Sequence, residues 1–174
     1  MGVEHLMKFA ERARACETIE DLAVALRTWL HEPHKPWGLE TDAETFAEVL
    51  WETRRLAQTN VRTVLHVGTG FGFEFFAFLV MLQNPHVTVS TTDSKNFIIT
   101  DVCPFVRMHR HIVPFEAFHD RTFDMVIVDG KHADIDHVFD KVGKRARACV
   151  FLHGEPERTP TKRIGIDCAV YNAQ

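Results

Sequence analysis

The feature that most restricts this chain is Gly68-Thr69-Gly70-Phe71-Gly72, a glycine-rich turn between two apolar segments, Val61–Val67 and Phe71–Gln83. The first segment is short and β-rich, and the second reads as a helix that is apolar nearly all round. Glycines tolerate positive φ and let a backbone approach a ligand closely. A strand that passes through such a turn into a helix marks a place where an α/β sheet can hold a small molecule at its edge.

The remainder of the chain repeats this alternation. His86–Thr92 is β-rich and ends at Asp93, while Phe97–Met108 is ambiguous and can be read as a helix broken at Pro104. His111–Pro114 reads as a short strand and Phe123–Asp129 as a strongly apolar one. His132–Ala146 carries Ile135, Val138, Phe139 and Val142 at helical spacing, and Cys149–His153 is a further buried strand. The pattern predicts an α/β fold: a Rossmann-like, mostly parallel sheet with helices on both faces. Its ending departs from that rule. About eight residues, Gly154 to Thr161, precede the β-rich Arg163–Tyr171, too few for a parallel crossover of a dozen or more. The shortened C-terminal end is therefore expected to return as an antiparallel edge strand beside Cys149–His153.

Ahead of this core, residues 1–60 read as helices. Thr18 with Asp21, and Thr41 with Glu44, resemble capping boxes before amphipathic runs, and the prolines and glycine of 31–38 mark a loop between them. The expected organisation is one domain overall, with 1–60 a helical N-terminal extension packed on a core of 61–174.

At 174 residues the chain can bury a core without disulfide or metal staples. Residues 1–60 hold 7 Lys/Arg against 11 Asp/Glu, and 61–174 hold 13 of each, so bulk charge calls for neither a nucleic-acid nor a membrane partner. Cys16, Cys103, Cys149 and Cys168 form no C-x-x-C pair, which points to reduced thiols and a cytoplasmic setting. The start of the chain shows no signal peptide, and Leu6 stands where a myristoylation signal wants Ser or Thr. No apolar run is long enough to span a bilayer.

Spacing narrows the ligand. A dinucleotide fingerprint, G-x-G-x-x-G, would place its third glycine at position 73, where Phe73 stands, and no P-loop lysine follows the turn. With its G-x-G-x-G spacing, Val64-Leu65-His66-Val67-Gly68-Thr69-Gly70-Phe71-Gly72 resembles the first motif of class I S-adenosylmethionine-dependent methyltransferases. Asp93 occupies the family's ribose-binding acidic position, 25 residues beyond Gly68. Phe123–His132 is similar to the FDLVIIDGDH strand of a small-molecule branch, with its Asp-Gly-x-His end, and Asp140 falls on an acidic position of the helix that follows. Phe151-Leu152-His153 resembles the VLHD strand end of the same branch. The resemblance covers roughly residues 60–155.

What the resemblance implies is an enzyme that transfers a methyl group from S-adenosylmethionine to a hydroxyl or amine of a small-molecule acceptor. Cofactor contacts would come from His66, Gly68, Thr69, Gly70, Phe71, Gly72, Asp93, and, around the adenine, Phe115 and Glu116. His66 departs from the family, which carries an acid there for the methionine amino end; Glu74 could compensate if the helix start turns it inward. Asp129, His132 and His153 are the candidate catalytic group, because transfer needs an aligned acceptor and a base for its proton. A histidine titrates in the right range for that base. A divalent ion at Asp129 stays open, since metal-using relatives carry a second carboxylate after the Leu-His step, where this chain has Gly154 and then Glu155.

His31, His34, His109, His111, His119 and His137 read as surface or loop residues. The basic clusters Lys141/Lys144/Arg145/Arg147 and Arg158/Lys162/Arg163 suit a helix C-terminus and its surroundings better than RNA. The alternative functions are a catalytically degenerate binding or scaffold protein and, ranked lower, a nucleic-acid methyltransferase. With little length to spare for a lid, an N-terminal helix, a homo-oligomer or a partner subunit would have to cover the site.

Overall fold

The computed structural model describes residues 2–31, 41–68, 73–82, 86–92, 107–111, 115–118, 120–131 and 133–172. Three helices come first: α1 (Gly2–Arg14), α2 (Ile19–His31) and α3 (Ala43–Ala57). The core follows as β1 (Thr63–Val67), α4 (Phe73–Leu82), β2 (Thr88–Thr92), β3 (Arg107–His111), β4 (Met125–Asp129), α5 (Ile135–Lys141), β5 (Ala148–Leu152), β6 (Lys162–Ile164) and β7 (Cys168–Asn172). They form a seven-stranded sheet in the order β3-β2-β1-β4-β5-β7-β6. β1 to β5 are parallel, and the order reverses direction at β1, between β2 and β4. That reversal is the switch point where open α/β sheets bind their ligands.

Strand alternation divides the core in two. Val64, Met125, Ile127, Ala148, Val150 and Leu152 face α1–α4, whereas Leu65, Val67, Val126, Val128, Cys149 and Phe151 face the α5 side. α4 is buried from Phe73 to Leu82, which accounts for a helix apolar on every side. It lies between the sheet and the N-terminal helices: Trp29 stacks on Phe73 at 4.5 Å, Phe9 tilts onto it at 5.2 Å, and Phe46 meets Phe78 edge-on at 5.6 Å.

Local details correct three expectations. Thr18 caps α2 by accepting from the Asp21 N–H at 3.1 Å, but α3 is capped by Asp42, which accepts from the Thr45 N–H at 2.9 Å. Thr41 is therefore released from the capping role. The third strand runs over Arg107–His111 rather than 111–114, of which 112–114 lie outside the described residues. The expected helix 132–146 is α5 with an Asp134 cap, followed by a separate 3-10 turn at Gly143–Arg145.

At the C-terminal end, β7 runs antiparallel to β5, with Cys149 opposite Tyr171. The run 163–171 nevertheless makes two strands. Gly165, at φ 61, turns the chain between β6 and β7, and β6 becomes the outermost strand. β6 points the same way as β5, because both are antiparallel to β7. Residues 153–161 make this connection without a helix, which is possible because β6 is not adjacent to β5 and the chain passes across one intervening strand.

Candidate functional site

Five segments bring polar side chains together at the carboxyl ends of β4 and β5. Asp129 closes β4 in the same phase as Met125 and Ile127, so its carboxylate faces α4. Glu74, in the first turn of α4, points inward and is only 9% exposed, although the rest of that helix is apolar. His153 follows β5 in a left-handed conformation (φ 59), and Gly154 continues at φ 144. A non-glycine residue in this region costs on the order of 1 kcal/mol, the kind of strain that collects at functional sites. Here it carries the imidazole back over the sheet edge.

The imidazole is held from both nitrogens. Its Nδ1 lies 3.4 Å from Asp167 Oδ2, in the β6–β7 turn. Its Nε2 lies 3.3 Å from Thr41 Oγ1 and 3.7 Å from Glu74 Oε2. Thr41 also donates its backbone N–H to Glu74 Oε1 at 3.1 Å. Released from capping, Thr41 thus ties the start of α3 to the cluster. Asp129 Oδ1 accepts from the Lys131 N–H at 3.0 Å, and the Gly130 N–H donates to the Leu152 carbonyl at 2.8 Å, fixing the turn after β4. Gly130 has no room for a side chain: a Cβ there would lie 2.7 Å from the His153 carbonyl oxygen and 2.5 Å from Ile135 Cδ1.

This setting favours the imidazolium. The Glu74 carboxylate 3.7 Å from Nε2 raises the His153 pKa above its ordinary value; burial opposes it, the charge of Asp129 adds to it, and Lys131 subtracts. The neighbouring Cys168 thiol is pushed up to about 12, chiefly by burial, and is chemically quiet at neutral pH. Burial also raises the Cys16 and Cys149 thiols, and these three cysteines are free.

The donor set fits a divalent cation. Glu74, Asp129 and His153 each offer one ligand atom, and the three atoms lie within 4.8 Å of one another. Two carboxylate oxygens and an imidazole nitrogen suit ions of intermediate hardness such as manganese or zinc. A second carboxylate for such an ion would come from α4 rather than from the segment after β5. Glu155, one residue beyond the family's acidic position, is engaged by Arg163 at 2.9 Å.

The other expected site residues divide into three groups. Gly68 sits at φ 84 and donates its N–H to the Thr92 carbonyl at 3.2 Å, joining the ends of β1 and β2 at the switch point. His66, 2% exposed, packs its ring 4.3 Å from that of Phe75. Phe115 and Glu116 begin a short 3-10 turn at Phe115–Phe118. There Phe115 meets the His137 ring edge-on at 5.1 Å, and Glu116 Oε1 lies 3.2 Å from His137 Nε2, so both are docked on α5. Thr69, Gly70, Phe71, Gly72, Asp93 and His132 lie outside the described residues.

Thr41 and Asp167 carried no sequence signal of their own. Thr41 looked like a cap, and Asp167 lay inside what read as a continuous strand. The Gly165-Ile166-Asp167 turn was the available clue.

No family model matches the chain, and no curated protein matches it in sequence. Solved structures do. A methyltransferase from Geobacter sulfurreducens is 12% identical over 76% of this chain and 70% of its own, with a TM-score of 0.51. The O-methyltransferase TomG from Streptomyces achromogenes, solved with S-adenosylmethionine, is 19% identical over 78% and 65%, with a TM-score of 0.47. An O-methyltransferase from Bacillus cereus, solved with S-adenosylhomocysteine, is 11% identical over 86% and 74%, with a TM-score of 0.46. The first likeness, together with the strand order, gives the chain a class I methyltransferase fold; the other two, with TM-scores under 0.5, add no weight to that assignment.

Proposed function

We propose that the chain is an S-adenosylmethionine-dependent methyltransferase acting on a hydroxyl or amine of a small molecule. The observation that carries this reading is the polar cluster of Glu74, Asp129, His153 and Asp167 beside the Gly68 turn, at the ligand-binding edge of a methyltransferase-type sheet. When bound, S-adenosylmethionine would supply the electrophilic methyl, with its thioether as the leaving group. The chain's own task is to bind, to align and to remove the acceptor proton.

Asp129 and His153 are the proton-handling pair in this reading. Asp167 holds the imidazole at Nδ1 and leaves Nε2 directed at Thr41 and Glu74. Once deprotonated, Nε2 is the base within reach of an acceptor that displaces Thr41. Asp129, ionised beside it, stabilises the imidazolium that forms. Glu74 answers the departure at His66: a buried carboxylate at the head of α4 supplies negative charge for the ammonium of the methionine moiety. If a divalent cation is used, Glu74, Asp129 and His153 would hold it, and it would lower the pKa of an acceptor hydroxyl.

The N-terminal helices belong to the machinery in this reading, since Thr41 completes the cluster. A small acceptor is favoured over RNA because several of the basic side chains already face acids of the same chain. Lys162 pairs with Glu48 and Glu52, Arg163 with Glu155, and Lys144 with Asp140. No described helix is long and apolar enough to cross a membrane.

Calorimetry with S-adenosylmethionine and S-adenosylhomocysteine tests the reading. Saturable binding that Glu74→Gln weakens is expected; a well-folded protein that binds neither would sink it. Transfer of a labelled methyl group to a panel of phenol, catechol and amine acceptors then separates an enzyme from a binding protein.

A further inference from the structure

A second cavity lies on the α5 side of the sheet, where the β5–β6 connection carries no helix. Sheets of this kind are normally covered on both faces. Over β5 and β7 the cover is instead Phe139 of α5 and the stretch 154–161, held down where the Tyr171 hydroxyl donates to the Arg158 carbonyl. Beneath it remains a cavity of about 140 Å³. Cys149, at its floor, precedes His153 by four residues along the strand, about 13 Å, so the cavity is separate from the candidate active site.

The lining joins an apolar base to polar walls, where Thr159, Thr161 and Asn172 stand, and a charged rim. Phe139, Ala146, Cys149 and Tyr171 are buried and make an apolar, partly aromatic base, with Phe139 and Tyr171 rings 5.1 Å apart. Lys144 and Arg158 are exposed at the rim. The Lys144 charge is partly offset by Asp140 at 2.7 Å. The Arg158 guanidinium stands 6.0 Å from the Phe139 ring centroid and pairs with no carboxylate among the described residues. A cation beside an aromatic base, with acidic partners elsewhere, selects an anion that also has an apolar face.

Size sets the remaining limit. A dry protein cavity of roughly 150 Å³ accepts one benzene ring. We propose that this cavity is a binding site for a single-ring aromatic carboxylate, its ring against Phe139 and Tyr171 and its carboxylate on Arg158. Neither the active-site reading nor the cofactor enters this argument, so the two proposals stand or fall separately.

Benzoate titrated into the isotope-labelled full chain, followed by amide NMR, provides the test. Saturable shifts are expected at residues 143–146, 158–161 and 171–172, with roughly millimolar affinity for so small a ligand. Benzyl alcohol keeps the ring and acetate keeps the charge; each is expected to bind at least about tenfold more weakly. Arg158→Gln, an exposed position whose side chain makes no hydrogen bond among the described residues, is expected to weaken benzoate by about tenfold at unchanged Tm. Absence of saturable shifts at these residues in the unmutated protein overturns the proposal. So does benzoate binding that Arg158→Gln leaves intact, or acetate binding as tightly as benzoate.

Discussion

The two ends of this sheet treat a carboxylate in opposite ways. At the amino end, Asp124 lies just ahead of β4 and accepts from the backbone N–H groups of Arg62 at 2.8 Å and Thr63 at 3.1 Å, with the Thr63 hydroxyl at 3.3 Å. Its donors are fixed parts of the chain, and it staples β1 to β4. At the carboxyl end, Glu74, Asp129 and Asp167 gather around one imidazole; Glu74 and Asp129 each accept one backbone N–H, from Thr41 and Lys131, but also face the ionisable side chain of His153. A carboxylate held by backbone donors and a neighbouring hydroxyl, as Asp124 is, is structural. Side chains that can exchange a proton, or be displaced by a ligand, leave it available for chemistry.

The comparison is broken most directly by removing charge at the carboxyl end. Asp129→Asn is expected to lower methyl transfer by about 10²–10⁴-fold in a labelled-methyl assay, while the urea midpoint stays or rises. At the amino end the outcome reverses. Asp124→Ala is expected to cost about 2 kcal/mol in urea unfolding and to leave cofactor affinity in calorimetry unchanged. A loss of cofactor affinity there would show that the two ends are not separable. Gly130→Ala tests the one place where structure and site coincide: its Cβ must push on the His153 carbonyl. It is expected to lose about 1–3 kcal/mol in urea unfolding together with activity.

Opposite signs of pH dependence sharpen the contrast. Burial pushes the Asp124 carboxyl up, but the Arg62 and Thr63 bonds outweigh it and hold its pKa below the ordinary value of 3.8. Its contribution is full above that value and is lost as pH falls through the lower, folded one. His153 is raised above 6.5, chiefly by the Glu74 carboxylate. Its contribution is full below 6.5 and is lost as pH rises through the higher, folded value. Unfolding curves in EDTA should therefore show Asp124→Ala removing part of the acid-side loss and His153→Gln flattening the slope just above pH 6.5. Identical pH slopes for both variants and the unmutated protein would remove the distinction. The smallest effect is expected at Lys162→Gln, which loses a half-exposed pairing with Glu48 and Glu52 and should change stability by no more than about 1 kcal/mol.

Much of this was legible in the chain itself. The apolar strands, the all-apolar helix after the glycine turn and the short C-terminal connection led to a parallel sheet with an antiparallel return, because strand and helix periods are local properties of a sequence. Asp129 and His153 could be named because they end strands. Glu74 was visible as the one charge in an apolar helix, but its direction depends on where α3 and β5 come to lie.

What only the tertiary structure decided is which residues meet. Asp42 took the cap and released Thr41 to the cluster. A left-handed residue after β5 turned His153 inward, and a three-residue turn placed Asp167 on its far nitrogen. The missing β5–β6 helix became a cavity only once β7 had slipped between those strands. Each outcome brings together residues far apart in sequence, and no local period encodes such distances. The glycine turn and its neighbouring strands declared the architecture; packing assigned the partners.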